Sequence, residues 1–183
     1  GLLLLCTGRA TKQIEQLMLD RKEYVATLKF GATTPSFDLE HPEDAHYPYE
    51  HITQGMLEEA LQEFLGTTLQ VPPIFSAVSV GGKRAYDLAR KGKDCQLEGK
   101  PITIHELEVV SFEPPYATLR ISCGKGTYIR SLARDLGERL QSGAYLTALR
   151  RTQLGNVRVE DSLTLAELPD FLAHAELNEE GFD

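Results

Sequence analysis

Gly124–Gly137 reads Gly-Lys-Gly-Thr-Tyr-Ile-Arg-Ser-Leu-Ala-Arg-Asp-Leu-Gly, and within it the chain changes period. Just before it, Leu119, Ile121 and Cys123 alternate with Thr118, Arg120 and Ser122, the pattern of a half-buried strand. Just after its first residues, Ile129, Leu132, Ala133, Leu136 and Leu140 recur at helical spacing. The segment therefore predicts a strand, a tight glycine-assisted turn and an amphipathic helix, with Thr127 as the expected N-cap. Arg130 stands out in the first helical turn. A cation there opposes the macrodipole at a cost of a few tenths to about 1 kcal/mol, and Arg130 lies off the apolar stripe. A solvated arginine tolerates that cost; the sharper expectation is a carboxylate elsewhere that holds the guanidinium. Lys125-Gly126 lacks the spacing of a phosphate-binding Walker loop.

Outward from this segment the chain interleaves strands and helices without βαβ regularity. Leu2–Cys6 reads as a buried strand, and a short helix is expected near Thr11. Tyr24–Phe30 alternates as a strand, and residues 32–52, with Pro35, Pro42 and Pro48, form a long polar loop. Thr53 caps a helix with Leu57, Ala60, Leu61 and Phe64 inward and Gly66 at its C-terminal end. Ile74–Val80 and Ile102–Val109 read as strands, the second with a bulge at His105-Glu106. Val157 and Val159 suggest a last strand, and Leu163–Leu172 a closing helix interrupted by Pro169. The expected class is α+β, a mixed, mainly antiparallel sheet with flanking helices, in a single domain spanning 1–183.

Composition narrows the function classes. The 183 residues are 42% hydrophobic and 25% charged, as in an ordinary globular protein. A net charge of −8 argues against a general polyanion-binding surface but leaves room for a local basic groove. Cys6, Cys95 and Cys123 have neither disulfide-framework nor metal-ligand spacing, which points to a reducing, cytoplasmic setting. The Leu2–Leu5 run is too short to span a bilayer.

Several stretches together resemble the bacterial TruB family of tRNA pseudouridine synthases. They are Gly1–Lys12, Lys22-Glu23-Tyr24, Gly31–Asp38, Val71–Gly92, Lys125–Arg130 and Leu149-Arg150-Arg151. The resemblance implies isomerisation of a T-loop uridine in tRNA to pseudouridine, without metal or organic cofactor, by a monomer that binds the T-stem-loop and no membrane. It implies that Arg130 pairs with the catalytic aspartate and that Tyr24 packs against the target base. Tyr128 and Leu149 would line the base pocket, while Lys83, Arg84 and Tyr86 would belong to an RNA-facing hairpin and helix. Thr34, Ser36 and Asp38 match the family's Thr-x-Thr-x-Asp pattern, with serine at the second threonine. The family's attacking aspartate lies in a Gly-x-Leu-Asp-Pro-x-Ala-Thr-Gly stretch, of which Gly1 matches the last glycine. The chain is thus expected to be a fragment without the nucleophile and without a C-terminal RNA-binding extension, leaving Arg130 solvated, mobile or bound to a buffer anion for want of its partner.

Each residue also has a plainer reading. Tyr24 and Leu149 fit a core, Tyr128 a staple at the helix start, and Lys83-Arg84 and Arg150-Arg151 a solvated surface. Two other functions stay open on the sequence: a non-catalytic RNA-binding or RNA-folding module of the same fold, and an unrelated acidic interaction domain.

Overall fold

The computed structural model describes residues 1–18, 21–75, 79–80, 83–84 and 97–174. After a 3-10 turn at Gly8–Gln13 come helix α1 (Ile14–Leu17) and strands β1 (Lys22–Phe30), β2 (Ala32–Thr33) and β3 (Ala45–His46). Helix α2 (Gln54–Gln62) leads to β4 (Gly66–Gln70), β5 (Ser79–Val80), β6 (Lys83–Arg84), β7 (Lys100–Glu113) and β8 (Tyr116–Cys123). Helix α3 (Ile129–Arg139), β9 (Ala144–Leu154), β10 (Val157–Arg158), a 3-10 turn at Val159–Asp161 and α4 (Leu168–His174) complete the described elements.

Six strands make one sheet in the order β10-β9-β1-β8-β7-β4, and every neighbouring pair in it is antiparallel. The expected α+β class with an antiparallel sheet holds. β1 sits inside, pairing Tyr24 with Ile121 of β8 on one side and with Arg151 of β9 on the other. Because side chains alternate along a strand, Ala26, Leu28 and Phe30 share one face with Leu119, Ile121 and Cys123, all at most 1% exposed. Helix α3 covers that face with Ile129, Leu132, Ala133 and Leu136. Fully burying one such leucine or isoleucine stabilises by about 1.5–3 kcal/mol. Gly137 allows the helix to lie close: a Cβ there would fall 2.5 Å from the Ala144 nitrogen. The opposite face is polar, with Arg120 of β8 paired to Glu23, Glu106 and Glu108.

Several local readings hold. Thr53 caps α2 by accepting from the Met56 N–H at 3.3 Å. The bulge in β7 falls between Ile104 and Glu106, and Gly126 supplies the turn before α3 with φ 83°. Others change. Leu2–Cys6 is not a strand; Leu2 alone of that run is buried, and its N–H donates to the Arg151 carbonyl at 2.8 Å. Gly66 opens β4 with φ 84° rather than ending α2, which stops at a Glu63 C-cap. Ala144–Leu154 is a long strand that its mixed polarity concealed. Pro169 lies in the first turn of α4, where a missing N–H costs nothing. That helix buries no residue, so it does not close the core.

The start of α3 departs most usefully from expectation. Tyr128, not Thr127, is the N-cap, and no side chain of its own segment caps the helix. Gln70, at the end of β4 and 4% exposed, does the work instead. Its Oε1 accepts from the Tyr128 N–H at 2.8 Å, and its Nε2 donates to the Tyr128 carbonyl at 3.1 Å. The side-chain amide thus pairs with a peptide unit as a neighbouring strand would. Replacing Gln70→Ala leaves the Tyr128 N–H unmet, while its carbonyl keeps the bond from the Leu132 N–H at 3.1 Å; one unmet buried group costs about 1–3 kcal/mol. A loss of roughly 1–3 kcal/mol is expected, read from the urea midpoint at unchanged slope; a loss below about 0.5 kcal/mol would show that the pair is dispensable.

Candidate active site

Arg130 is not solvated. Its Nη1 donates to the Ser36 carbonyl at 3.2 Å and to Asp38 Oδ2 at 3.3 Å, while Nη2 donates to the Phe75 carbonyl at 2.8 Å. The carboxylate anticipated from the helix-dipole argument is therefore Asp38, 92 residues away in sequence. The expectation of an unpartnered guanidinium fails because the loop bearing Asp38 folds back over the helix N-terminus.

That loop is shaped to present both groups to one guanidinium. Phe37 takes φ 59°, a backbone region that side chains of its size rarely adopt. The reversal there lets the carbonyl before it and the carboxylate after it converge on Arg130. Ser36 Oγ donates to Asp38 Oδ1 at 2.6 Å, Glu40 N–H donates to the same oxygen at 3.0 Å, and Thr34 Oγ1 donates to the Asp38 carbonyl at 2.7 Å. One turn along α3, the Arg134 guanidinium lies 5.2 Å from the centre of the Phe37 ring, within range of a cation–π contact. Its Nη2 donates to the Val71 carbonyl at 3.0 Å, and Ser131 Oγ donates to that carbonyl at 2.8 Å. Three consecutive polar positions of one helix face thus grip two segments, residues 34–38 and 71–75.

The far end of the loop is fixed by charge. Glu43 Oε1 accepts from Lys29 Nζ and from the Tyr145 hydroxyl, each at 2.7 Å. The Lys29 ammonium and then the tyrosine hydroxyl hold the Glu43 carboxyl below the ordinary carboxylate range.

Between loop and sheet opens a cavity of about 270 Å³ lined by Asp38, Leu39, Arg130, Leu146, Thr147, Ala148 and Leu149. It combines an ion pair with an apolar wall, a setting that can orient a flat polar ligand. Arg130 and Leu149 are brought together there; Leu149 is 48% exposed, so it is not core. Tyr24 does not line this cavity. It lies two positions along β1 from Ala26, the strand partner of Leu149, half-buried against the core. Burial pushes its phenol pKa up, while Arg151 across the strands draws it down by charge and hydrogen bonding. Tyr128 contributes its backbone to the Gln70 pair. Lys83 and Arg84 form β6, antiparallel to β5 with Arg84 opposite Ser79, and Tyr86 lies outside the described residues. Sequence reasoning missed Gln70, Phe37, Arg134 and Glu43. Only Phe37, beside a motif aspartate, carried any local signal. No group of three metal-ligating side chains occurs among the described residues.

Two family models match this chain: TruB family pseudouridylate synthase (N terminal domain) over residues 1–129, and tRNA pseudouridylate synthase B C-terminal domain over residues 130–182. The chain belongs to the TruB family. The two matches meet inside the first turn of α3, although β1 and β9, one from each, are hydrogen-bonded neighbours. Among relatives, the tRNA pseudouridine synthase B of Phocaeicola vulgatus is 55% identical over 179 residues, covering 98% of this chain and 76% of the relative. That of Bacteroides thetaiotaomicron is 54% identical over 181 residues, covering 97% and 75%. Among solved structures, a chain of a Cbf5-Nop10-Gar1 complex superposes with a TM-score of 0.62 at 26% identity. The match covers 87% of this chain but 39% of that one. In this family context, the loop–helix ion pair lies beside a cavity wall that includes Leu149.

Two measurements check the geometry. Arg130→Ala should lower stability by roughly 1.5–3 kcal/mol, because a charged donor to two carbonyls and a carboxylate is lost; a change within about 0.5 kcal/mol would fit a solvated arginine instead. For Glu43, the depressed folded-state pKa means that its contribution is fully present above the unfolded value of 4.5 and lost as pH falls through the folded value. Wild type should therefore exceed Glu43→Gln in stability at pH 7, with the gap shrinking below about pH 4.5. A pH-independent gap would remove the carboxylate from the account.

Proposed function

We propose that this chain is the base-holding part of a tRNA pseudouridine synthase that isomerises a T-loop uridine. The observation that carries the reading is the cavity joining the Arg130–Asp38 pair to Leu146, Ala148 and Leu149, in a chain of the TruB family. Uridine isomerisation cleaves the bond between N1 and the ribose, turns the base, and joins C5 to the same ribose carbon, so composition is unchanged. It requires a base flipped out of its stack, an apolar wall to receive it, and one oriented carboxylate.

Arg130 serves that carboxylate by charge pairing, which keeps it ionised and aimed. Asp38, with the Ser36 and Phe75 carbonyls, holds the guanidinium ready before substrate arrives. Leu149 and its neighbours face the base, and Tyr24 offers a stacking ring, a contact worth about 1–3 kcal/mol per base. The hairpin of Lys83 and Arg84, with Tyr86 beyond, meets the phosphates of the T-stem-loop. In this reading the attacking aspartate comes from the family stretch whose last glycine is Gly1. The chemistry calls for no metal or organic cofactor, and the substrate places the protein in the cytoplasm.

The experiment uses a T-arm transcript carrying tritium at uridine C5, since forming the new carbon–carbon bond releases that hydrogen. The chain preceded by its Gly-x-Leu-Asp-Pro-x-Ala-Thr stretch should release tritium from the T-loop uridine; the 183-residue chain should bind the transcript without release. Arg130→Ala in the extended chain should slow single turnover by about 100-fold or more. Release by the unextended chain would refute the assignment of the acid. Binding with no release by the extended chain would favour a non-catalytic RNA module.

A further inference from the structure

Arg150 and Arg151 read in sequence as one basic pair, but the structure separates them. β9 carries an extra residue opposite β1: Glu23 pairs with Gln153 and Tyr24 with Arg151, leaving Thr152 without a register partner. A bulge of this kind re-aims the side chains beside it. Thr152 Oγ1 donates to Glu23 Oε1 at 2.8 Å on the polar face. Arg151 lands directly across from Tyr24, on the face that α3 covers. Its Nε and Nη2 both donate to the Leu2 carbonyl, at 2.9 and 2.6 Å. The Leu2 N–H returns a bond to the Arg151 carbonyl at 2.8 Å. The approach is close enough that a Cβ on Gly1 would sit 2.8 Å from the Arg151 nitrogen, so glycine is required there. Arg150, by contrast, is exposed opposite Val25.

We propose that Arg151 is a positioning residue, not a phosphate contact: its guanidinium clasps the Leu2 carbonyl and fixes the Tyr24 ring against the bulged strand. The clasp couples the segment at Leu2 to the tyrosine assigned to stack on the target base. It rests on that functional reading for its consequence, but not for its geometry. A guanidinium already donating twice to one buried carbonyl has its plane fixed, and turning it outward to RNA would forfeit both bonds. The influence of Arg151 on the Tyr24 phenol agrees with this orientation.

The test separates positioning from phosphate binding. Tyrosines labelled with ¹³C at Cζ report the Tyr24 ring, assigned by its loss in Tyr24→Phe. In the 183-residue chain, Arg151→Gln should shift the Tyr24 Cζ resonance at neutral pH and move its titration to higher pH. Arg151→Lys should restore the charge and return part of both changes. Binding of a T-arm transcript, measured across salt concentrations, should show a log–log slope unchanged by Arg151→Gln, whereas Arg150→Gln should reduce it by about 1 if it meets a phosphate. An Arg151→Gln slope reduced by about 1 would make Arg151 a phosphate contact and overturn the proposal. A melting temperature lowered by Arg151→Gln with Tyr24 unmoved would reduce it to a tie for Leu2, and equally overturn it. If the wild-type chain binds no transcript, the functional reading fails while the Cζ resonance still decides the role of Arg151. Should Arg151→Gln fold poorly, Arg151→Lys decides alone: a native-like Tyr24 signal from a mobile, singly bonded ammonium refutes the clasp.

Discussion

One guanidinium at the start of a helix joins three separate pieces of this protein. Arg130 stands where the helix dipole works against it, and it is retained because two backbone carbonyls and a carboxylate surround it. Remove those acceptors and, among the described residues, the loop at 34–38 and the segment at 71–75 are held to the helix only through Ser131 and Arg134. The cavity beside Leu149 exists because that loop is held over β9. The Leu146 N–H, donating to the Phe37 carbonyl at 3.0 Å, completes the contact from the sheet side. Site geometry and loop fold are thus one set of bonds.

The same economy appears at both ends of the sheet. Gln70 finishes β4 and starts α3 with one buried amide. Arg151 finishes a bulge in β9 and receives the segment at Leu2. In each case a polar side chain replaces a missing ladder partner, as burial requires: an unpaired peptide group in the core would cost more than the side chain's lost freedom. The polar sheet face, with Arg120 among Glu23, Glu106 and Glu108, shows how the remaining charge is spent in paired, partly exposed contacts.

What the sequence determined by itself was local and periodic. Alternation in 117–123 and the stripe through Ile129, Leu132, Ala133, Leu136 and Leu140 dictate a strand turning into a helix, because side-chain direction follows directly from backbone period. Thr53, the β7 bulge and the off-stripe oddity of Arg130 were legible for the same reason. The motif order pointed to the family. Tertiary structure alone decided which acids and carbonyls meet Arg130, that Gln70 rather than Thr127 serves the Tyr128 peptide, and that Arg151 turns away from Arg150. Each is a contact between residues 55 to 149 positions apart. Such partners depend on strand register, a one-residue bulge and a strained turn at Phe37, and no spacing within a single element encodes those.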